Sequence, residues 1–156
     1  MSNRKLKTKE EIKGIVEKLR EKGKAIVTTN GVFDILHVGH LRTFIEARKQ
    51  GDILIVGINS DASTKRLKGP SRPINNENDR VEMLAALDII DYIVIFEEDT
   101  PIRLLETIKP DVHVKYEDYG EDMIEAETVK KNGGRIHLTE KVKGYSTTDI
   151  IKSIRK

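Results

Sequence analysis

Apolar positions recur along the chain with two different periods. Ile12, Ile15, Val16 and Leu19 fall at helical spacing, Thr8 and Glu11 stand as a capping box before them, and Gly23 follows, so the pattern predicts a helix over about residues 8–21. The Lys and Glu residues between these positions form its solvated face. Beyond it, short apolar runs at 25–29, 53–58, 92–96, 112–114 and 135–138 predict strands. The run 53–58 has the β-branched density of a strand buried on both faces. Between the strands, Leu41/Phe44/Ile45, Val81/Leu84/Ala85, Leu104/Leu105/Ile108 and Ile150/Ile151/Ile154 keep helical spacing, while the pattern over 120–131 is the weakest. Thr100 before Pro101, and Ser146 three residues before Asp149, mark helix starts; Asn132-Gly133-Gly134 marks a helix end and turn. This alternation predicts a single α/β domain, a doubly wound, Rossmann-like parallel sheet with helices on both faces. Residues 1–22 are expected as a helical extension packed on a domain spanning 23–156. Ligands of such sheets lie outside the carboxyl ends of the strands, where strand order reverses. The longest irregular stretch, 67–75, is rich in Gly, Pro and basic residues and is a candidate for ligand contact.

Composition narrows the chemistry. The 156 residues contain no Cys, which excludes a disulfide scaffold, a zinc ribbon and a cysteine nucleophile. With 28 Lys+Arg against 26 Asp+Glu, the formal charge of +2 describes a balanced solvated surface rather than a basic stripe. Four Tyr, three Phe and no Trp leave little for a base-stacking platform, so no nucleic-acid partner is expected. No apolar run approaches the roughly 18 residues of a membrane span, and the charged N-terminus does not lead into a signal core. The expectation is a cytoplasmic protein without a membrane partner.

The most informative segment runs from Thr28 to His40, out of the first strand into the next helix. His37 and His40 are three apart, on one face at a helix start. Gly39 between them removes a side chain where phosphates approach the backbone. The unpaired N–H groups and positive dipole of the helix N-terminus add to an anion site, and imidazoles there can donate hydrogen bonds to a phosphoryl group as charge builds on it. A metal site and a pair of ordinary satisfied histidines are the competing readings. The spacing is not the His-Glu-x-x-His of zinc proteases, and two imidazoles around a glycine after a strand point to phosphate contact, with no protein metal ligands assigned. Lys68 and Arg72 are loop cations able to close on phosphates, whereas Lys65 and Arg66 read as helix surface. Ser146, Thr147 and Thr148 open the last helix, where hydroxyls and free N–H groups suit a polyphosphate, Ser146 serving equally as an N-cap. Asp34 reads alternatively as a turn residue and Arg80 as a surface helix cation. His113 and His137 sit inside strands, where a ring with satisfied hydrogen bonds is the default.

His37-Val38-Gly39-His40 within Gly31-Val32-Phe33-Asp34-Ile35-Leu36 resembles the His-x-Gly-His signature of the cytidylyltransferase-like nucleotidyltransferases. The run Asn59 to Gly69 with Arg72-Pro73, Phe96 to Pro101, and Ser146-Thr147-Thr148 are similar to the adenylyltransferase domain of ADP-heptose synthase, over roughly residues 22–154. The resemblance implies transfer of a nucleotidyl group from ATP, with Mg²⁺, to a phosphorylated small-molecule acceptor such as heptose 1-phosphate, in a homodimer. It implies catalytic roles for His37, His40 and Lys68. Nucleotide contacts are implied at Thr29, Asn30, Gly31, Phe33, Gly39, Lys115, Asp118, Ser146, Thr147 and Thr148, and acceptor contacts at Asp34, Arg72 and Arg80. Two departures stand out. Lys115-Tyr116-Glu117-Asp118-Tyr119 replaces Lys-Gly-Gly-Asp-Tyr, which bears on base and acceptor choice. Asp149 occupies a position that is often basic, with Lys152 one turn on. A cytidylyltransferase for glycerol 3-phosphate or a related alcohol phosphate, an FAD synthase of archaeal type and an ATP-binding sensor module are the alternatives.

Overall fold

The structure, a computed structural model, describes residues 3–120 and 123–156. Five strands, β1 (Ile26–Gly31), β2 (Ile53–Asn59), β3 (Tyr92–Phe96), β4 (Val112–Tyr116) and β5 (Arg135–Thr139), form one parallel sheet in the order β3-β2-β1-β4-β5. Side chains alternate along each strand, so two apolar layers form. On one face Val27, Leu54, Val56, Ile58, Ile93, Val112 and Val114 pack against Phe44 and Ala47 of α2 (Val38–Arg48) and Val81 and Leu84 of α4 (Glu77–Ala85). On the other, Ile26, Ile55, Val94 and Phe96 pack against Ile12 and Val16 of α1 (Lys9–Glu21) and Leu104 and Ile108 of α5 (Ile102–Ile108). β2 is buried on both faces from Leu54 onward, as its unbroken apolar run predicts.

Local signals account for most element ends. Thr8 and Glu11 close the expected capping box on α1, and the Ser146 side chain accepts the Asp149 N–H to cap α7 (Thr147–Ile154). Two helices are shorter than their patterns: α5 begins at Ile102 because Pro101 sits at ψ 7°, outside helical geometry, and only Ala126–Lys131 of the 120–131 segment forms α6. Residues 121 and 122 of that segment lie outside the described residues. The run Asp61–Lys68 forms α3, ended by Gly69 at φ 103°. The segment before α1 is extended: Lys7 N–H donates to the Ile93 carbonyl and Ile93 N–H to the Lys5 carbonyl, laying Leu6 alongside β3 on the outer edge of the sheet. Among the described residues no helix is long and apolar enough to cross a membrane.

Arg80, expected as a phosphate contact or a surface cation, is neither. Its side chain is 1% exposed, and it donates from Nε to the Asn75 carbonyl, from Nη1 to the carbonyls of Val32 (2.7 Å) and Asn59 (2.8 Å), and from Nη2 to Asp61 Oδ1 (2.8 Å). It fastens the loop after β1, the end of β2, the start of α3 and the 69–76 segment to one another.

Candidate active site

Strand order reverses between β1 and β4, and a cavity of about 530 Å³ opens over the carboxyl ends of the strands at that point. The turn out of β1 is tight. Phe33 stands at φ 51°, a left-handed conformation costly for an aromatic residue, and this turns its ring inward onto His40, edge to face at 5.2 Å.

His37 then caps α2 in an unusual way. Its Nδ1 accepts the Gly39 N–H at 3.1 Å, and its own N–H donates to His40 Nδ1 at 3.3 Å, so the two imidazoles form a reciprocal capping box. A Cβ on Gly39 would lie 2.9 Å from the His37 ring, and only glycine lets the ring fold back this far. The rings stack with centroids 3.8 Å apart. Because each Nδ1 is held as an acceptor, each neutral ring carries its proton on Nε2. Burial pushes the His40 pKa down to about 3, with His37 beside it adding to the shift, and burial lowers that of His37 too. Both rings are therefore neutral Nε2–H donors near pH 7.

The expected residues assemble around them. Thr29, Asn30, Gly31, Phe33, Asp34, His37 and His40 line the cavity from β1 and the turn after it, and Lys68 and Arg72 line it from the end of α3 and the segment beyond. Lys115 and Asp118 line it after β4, and Ser146, Thr147 and Thr148 from the start of α7. Gly39 lies beneath the His37 ring rather than on the wall, Arg80 lies outside the cavity, and Lys152 is exposed elsewhere. The Oδ1 of Asn30 is buried without a hydrogen-bond partner. Thr147 Oγ1 donates to the Ile35 carbonyl at 3.2 Å, tying the start of α7 to the histidine turn.

Asp34 is expected to contact the acceptor or a metal, but its carboxylate is occupied. It accepts Arg72 Nε (2.7 Å) and the N–H groups of Ile74 and Asn75. Burial alone would raise its pKa; the Asn75 and Ile74 amides and the Arg72 guanidinium outweigh this and hold it below the usual carboxylate range. Lys115 faces Glu125 Oε1 at 3.7 Å, both side chains nearly buried, and burial lowers the lysine pKa against the pull of that carboxylate. Sequence reasoning singled out neither Glu125 nor Lys141, which pairs with Asp118 Oδ2 at 3.0 Å, nor Tyr145, whose ring centroid lies 6.3 Å from that of His37. Glu125 reaches the cavity from just before α6, and Lys141 and Tyr145 from the loop between β5 and α7, where among local signals only Gly144 next to Tyr145 marked a turn.

Behind the site, His113 is fully buried with Nδ1 2.8 Å from Thr28 Oγ1, while its Nε2 has no partner, so this strand histidine is only half satisfied. Burial, reinforced by the Lys115 charge, pushes its pKa down to about 3 from 6.5. Between those values the unfolded chain binds a proton that the folded chain does not, so stability is complete above pH 6.5 and is lost as pH falls. From pH 6.5 to 5 this single ring costs about 2 kcal/mol. The expected result is a lower Tm at pH 5 than at pH 7, with a smaller difference in His113→Gln; equal pH dependence in both proteins would overturn it.

The cytidylyltransferase-like family model matches residues 28–153. The chain belongs to the cytidylyltransferase-like family. Among curated relatives of this family, the chain is 48% identical over 151 residues to the bifunctional protein HldE of Syntrophotalea carbinolica, with 96% of this chain and 31% of that one covered. It is 51% identical over 156 residues to HldE of Aliarcobacter butzleri, with 99% of this chain and 32% of that one covered. The chain thus spans about a third of the length of the curated relatives it matches. Of solved structures, a lipopolysaccharide core biosynthesis protein from Thermoplasma volcanium is 32% identical with a TM-score of 0.62, covering 80% of this chain and 100% of that one. Pantoate-beta-alanine ligase from Francisella tularensis, at 18% identity and a TM-score of 0.64 over 96% of this chain and 76% of that one, shares the fold. The cytidylyltransferase-like match contains the histidine turn, Lys68, Arg72 and the start of α7.

Proposed function

We propose that the chain is an adenylyltransferase, transferring AMP from ATP to a sugar phosphate, D-glycero-D-manno-heptose 1-phosphate, to give ADP-heptose and pyrophosphate, within residues 23–156 and with 1–22 as an extension. The observation that carries this reading is the pair of neutral, tautomerically locked Nε2–H donors at a strand-end cavity that Lys68 and Arg72 also line. An acceptor phosphate oxygen attacks the α-phosphorus, the bond from that phosphorus to the oxygen bridging to the β-phosphate breaks, and pyrophosphate leaves with the electron pair. Such a transfer needs alignment and charge stabilisation rather than a protein nucleophile. His37 and His40 donate to the α-phosphoryl oxygens as they gain charge. Lys68 and the start of α7 hold the β- and γ-phosphates, Lys115 and Asp118 the nucleoside side, and Arg72 the acceptor.

ATP is favoured over CTP by the similarity to the ADP-heptose synthase domain and by relatives that bear the name HldE. Tyr116 on the cavity wall, where that domain has glycine, favours the second reading, a cytidylyltransferase for an alcohol phosphate. Among the described residues no group of three or more His, Asp or Glu is placed to hold a metal, and the wall carboxylates Asp34, Asp99, Asp118 and Glu125 already face cations. The residues fit Mg²⁺ carried in on the triphosphate, held mainly by phosphate oxygens and water, where it would neutralise the leaving pyrophosphate. Exposed Leu41 and Ile45 on α2, and an α7 with no buried residue, support a homodimer, which sedimentation would test.

The deciding experiment is pyrophosphate release with ATP or CTP crossed against heptose 1-phosphate, glycerol 3-phosphate and FMN. Release with ATP and heptose 1-phosphate is expected. Release with CTP and glycerol 3-phosphate would establish the second reading, release with ATP and FMN an FAD synthase, and ATP binding with no release a sensor module.

A further inference from the structure

The 69–76 segment carries Arg72 to the cavity wall, yet it has no regular structure of its own between the end of α3 and the start of α4. What ties it to the histidine turn is the side chain of Asp34, about forty residues away in sequence, while Arg80 Nε holds the Asn75 carbonyl from α4. The Asp34 carboxylate has no exposed surface. It accepts the Ile74 N–H on both oxygens (2.9 Å each), the Asn75 N–H on Oδ1 (2.8 Å) and Arg72 Nε on Oδ2 (2.7 Å), while the Asn75 side-chain amide donates to the Asp34 carbonyl (2.6 Å). A carboxylate saturated in this way has no lone pair to offer a sugar hydroxyl or a metal ion. Its charge is matched instead by a guanidinium that is itself 11% exposed, and it engages that group only at Nε. The geometry fixes one edge of the Arg72 fork and leaves both Nη groups for a second anion, at the cavity wall.

Resting on the adenylyltransferase reading, we propose that Asp34 is a positioning residue: it buckles the 69–76 segment to the histidine turn and presents the Nη groups of Arg72 to the phosphate of the acceptor. Asp34 and His37 leave the same short turn after β1, so the group that aims the acceptor and the groups that receive the α-phosphate share one rigid support. The precision of an in-line attack depends on that shared support, since misplacement by about 1 Å costs on the order of 100-fold in rate.

Asp34→Asn separates aiming from folding. Its amide oxygen still accepts the Ile74 and Asn75 N–H groups, but an N–H₂ now confronts Arg72 Nε. The expected result is a rise of about 10-fold or more in the acceptor KM, with the KM for ATP within about 2-fold. Arg72→Ala, which leaves both backbone anchors in place, gives the same split. In the double variant the acceptor KM lies within about 2-fold of that of Arg72→Ala alone, because Asp34 acts through Arg72. Multiplying single effects, or a rise in the ATP KM matching that for the acceptor, would overturn the proposal. A second measurement does not depend on turnover: amide hydrogen exchange over 70–76 is faster in Asp34→Ala than in the parent, while the β2 amides stay protected. If the parent releases no pyrophosphate with any substrate pair, the adenylyltransferase reading fails. Unchanged exchange over 70–76 in Asp34→Ala would overturn the positioning role by itself, with or without turnover.

Discussion

Replacing His40 by alanine lowers turnover by about 100- to 1,000-fold, the loss associated with removing one preorganised donor from a developing oxyanion. The affinity for ATP changes far less, because the donor is worth most when charge accumulates on the α-phosphoryl oxygens. The substitution has a structural side as well. His40 Nδ1 accepts the His37 N–H and its ring meets Phe33, so the alanine variant loses the His40 half of the capping box on α2 at a cost of about 1 kcal/mol in stability. His40→Asn separates the two effects: its amide oxygen can accept the His37 N–H, restoring stability, while its shorter donor recovers only part of the rate. The pH profile carries an independent signature. With the His40 pKa held at about 3, the ring remains a neutral donor through the physiological range, so kcat shows no limb near pH 6.5 that disappears in the variant. A limb of that kind would mean that imidazolium, rather than imidazole, performs the reaction. An alanine variant as active as the parent would remove the histidines from the chemistry.

Replacing Arg80 by alanine destabilises the fold by about 3–5 kcal/mol, a large share of the roughly 5–15 kcal/mol by which domains of this size are stable. The substitution deletes four hydrogen bonds from a site with 1% exposure, takes the Arg80 donors from the carbonyls of Val32, Asn59 and Asn75, and opens a cavity. Lysine cannot reach these partners at once, so Arg80→Lys recovers only a small part of the loss. Urea denaturation measures the effect directly. An arginine that served an anion would show the reverse pattern, an altered KM and an unchanged unfolding midpoint, and that outcome would return Arg80 to the cavity.

These two residues show what the sequence made legible and what it did not. His37 and His40 are close in sequence, and their spacing, the glycine between them and the preceding strand suffice to bring them together at a helix start. The locking of their tautomers is invisible at that level, since it depends on ring rotations that place each Nδ1 against a backbone N–H. Arg80 opens a helix after a long loop, as many surface arginines do. Its partners at positions 32, 59, 61 and 75 come together only when the strands and loops have assembled. Glu125, Lys141 and Tyr145 were hidden for the same reason, arriving from two separate loops, one beyond β4 and one beyond β5. The strands were legible because parallel strands buried on both faces are continuous apolar runs, and α1 and α7 because their caps are local. The start of α5 shifted because a proline can stand at a helix boundary as well as inside it.

The strip of chain around Leu6 that lies along β3 has a bearing on how copies of this protein can associate. A parallel sheet with two bare edges is a unit that adds at both ends, and such units grow into open-ended stacks. Here the arm occupies the outer edge of β3 at Ile93, through hydrogen bonds of Lys5 and Lys7, and among the described residues β5 is the edge strand with no such bridge. An edge strand covered in this way offers a neighbouring sheet fewer free N–H and C=O groups, which disfavours open-ended stacking along that edge.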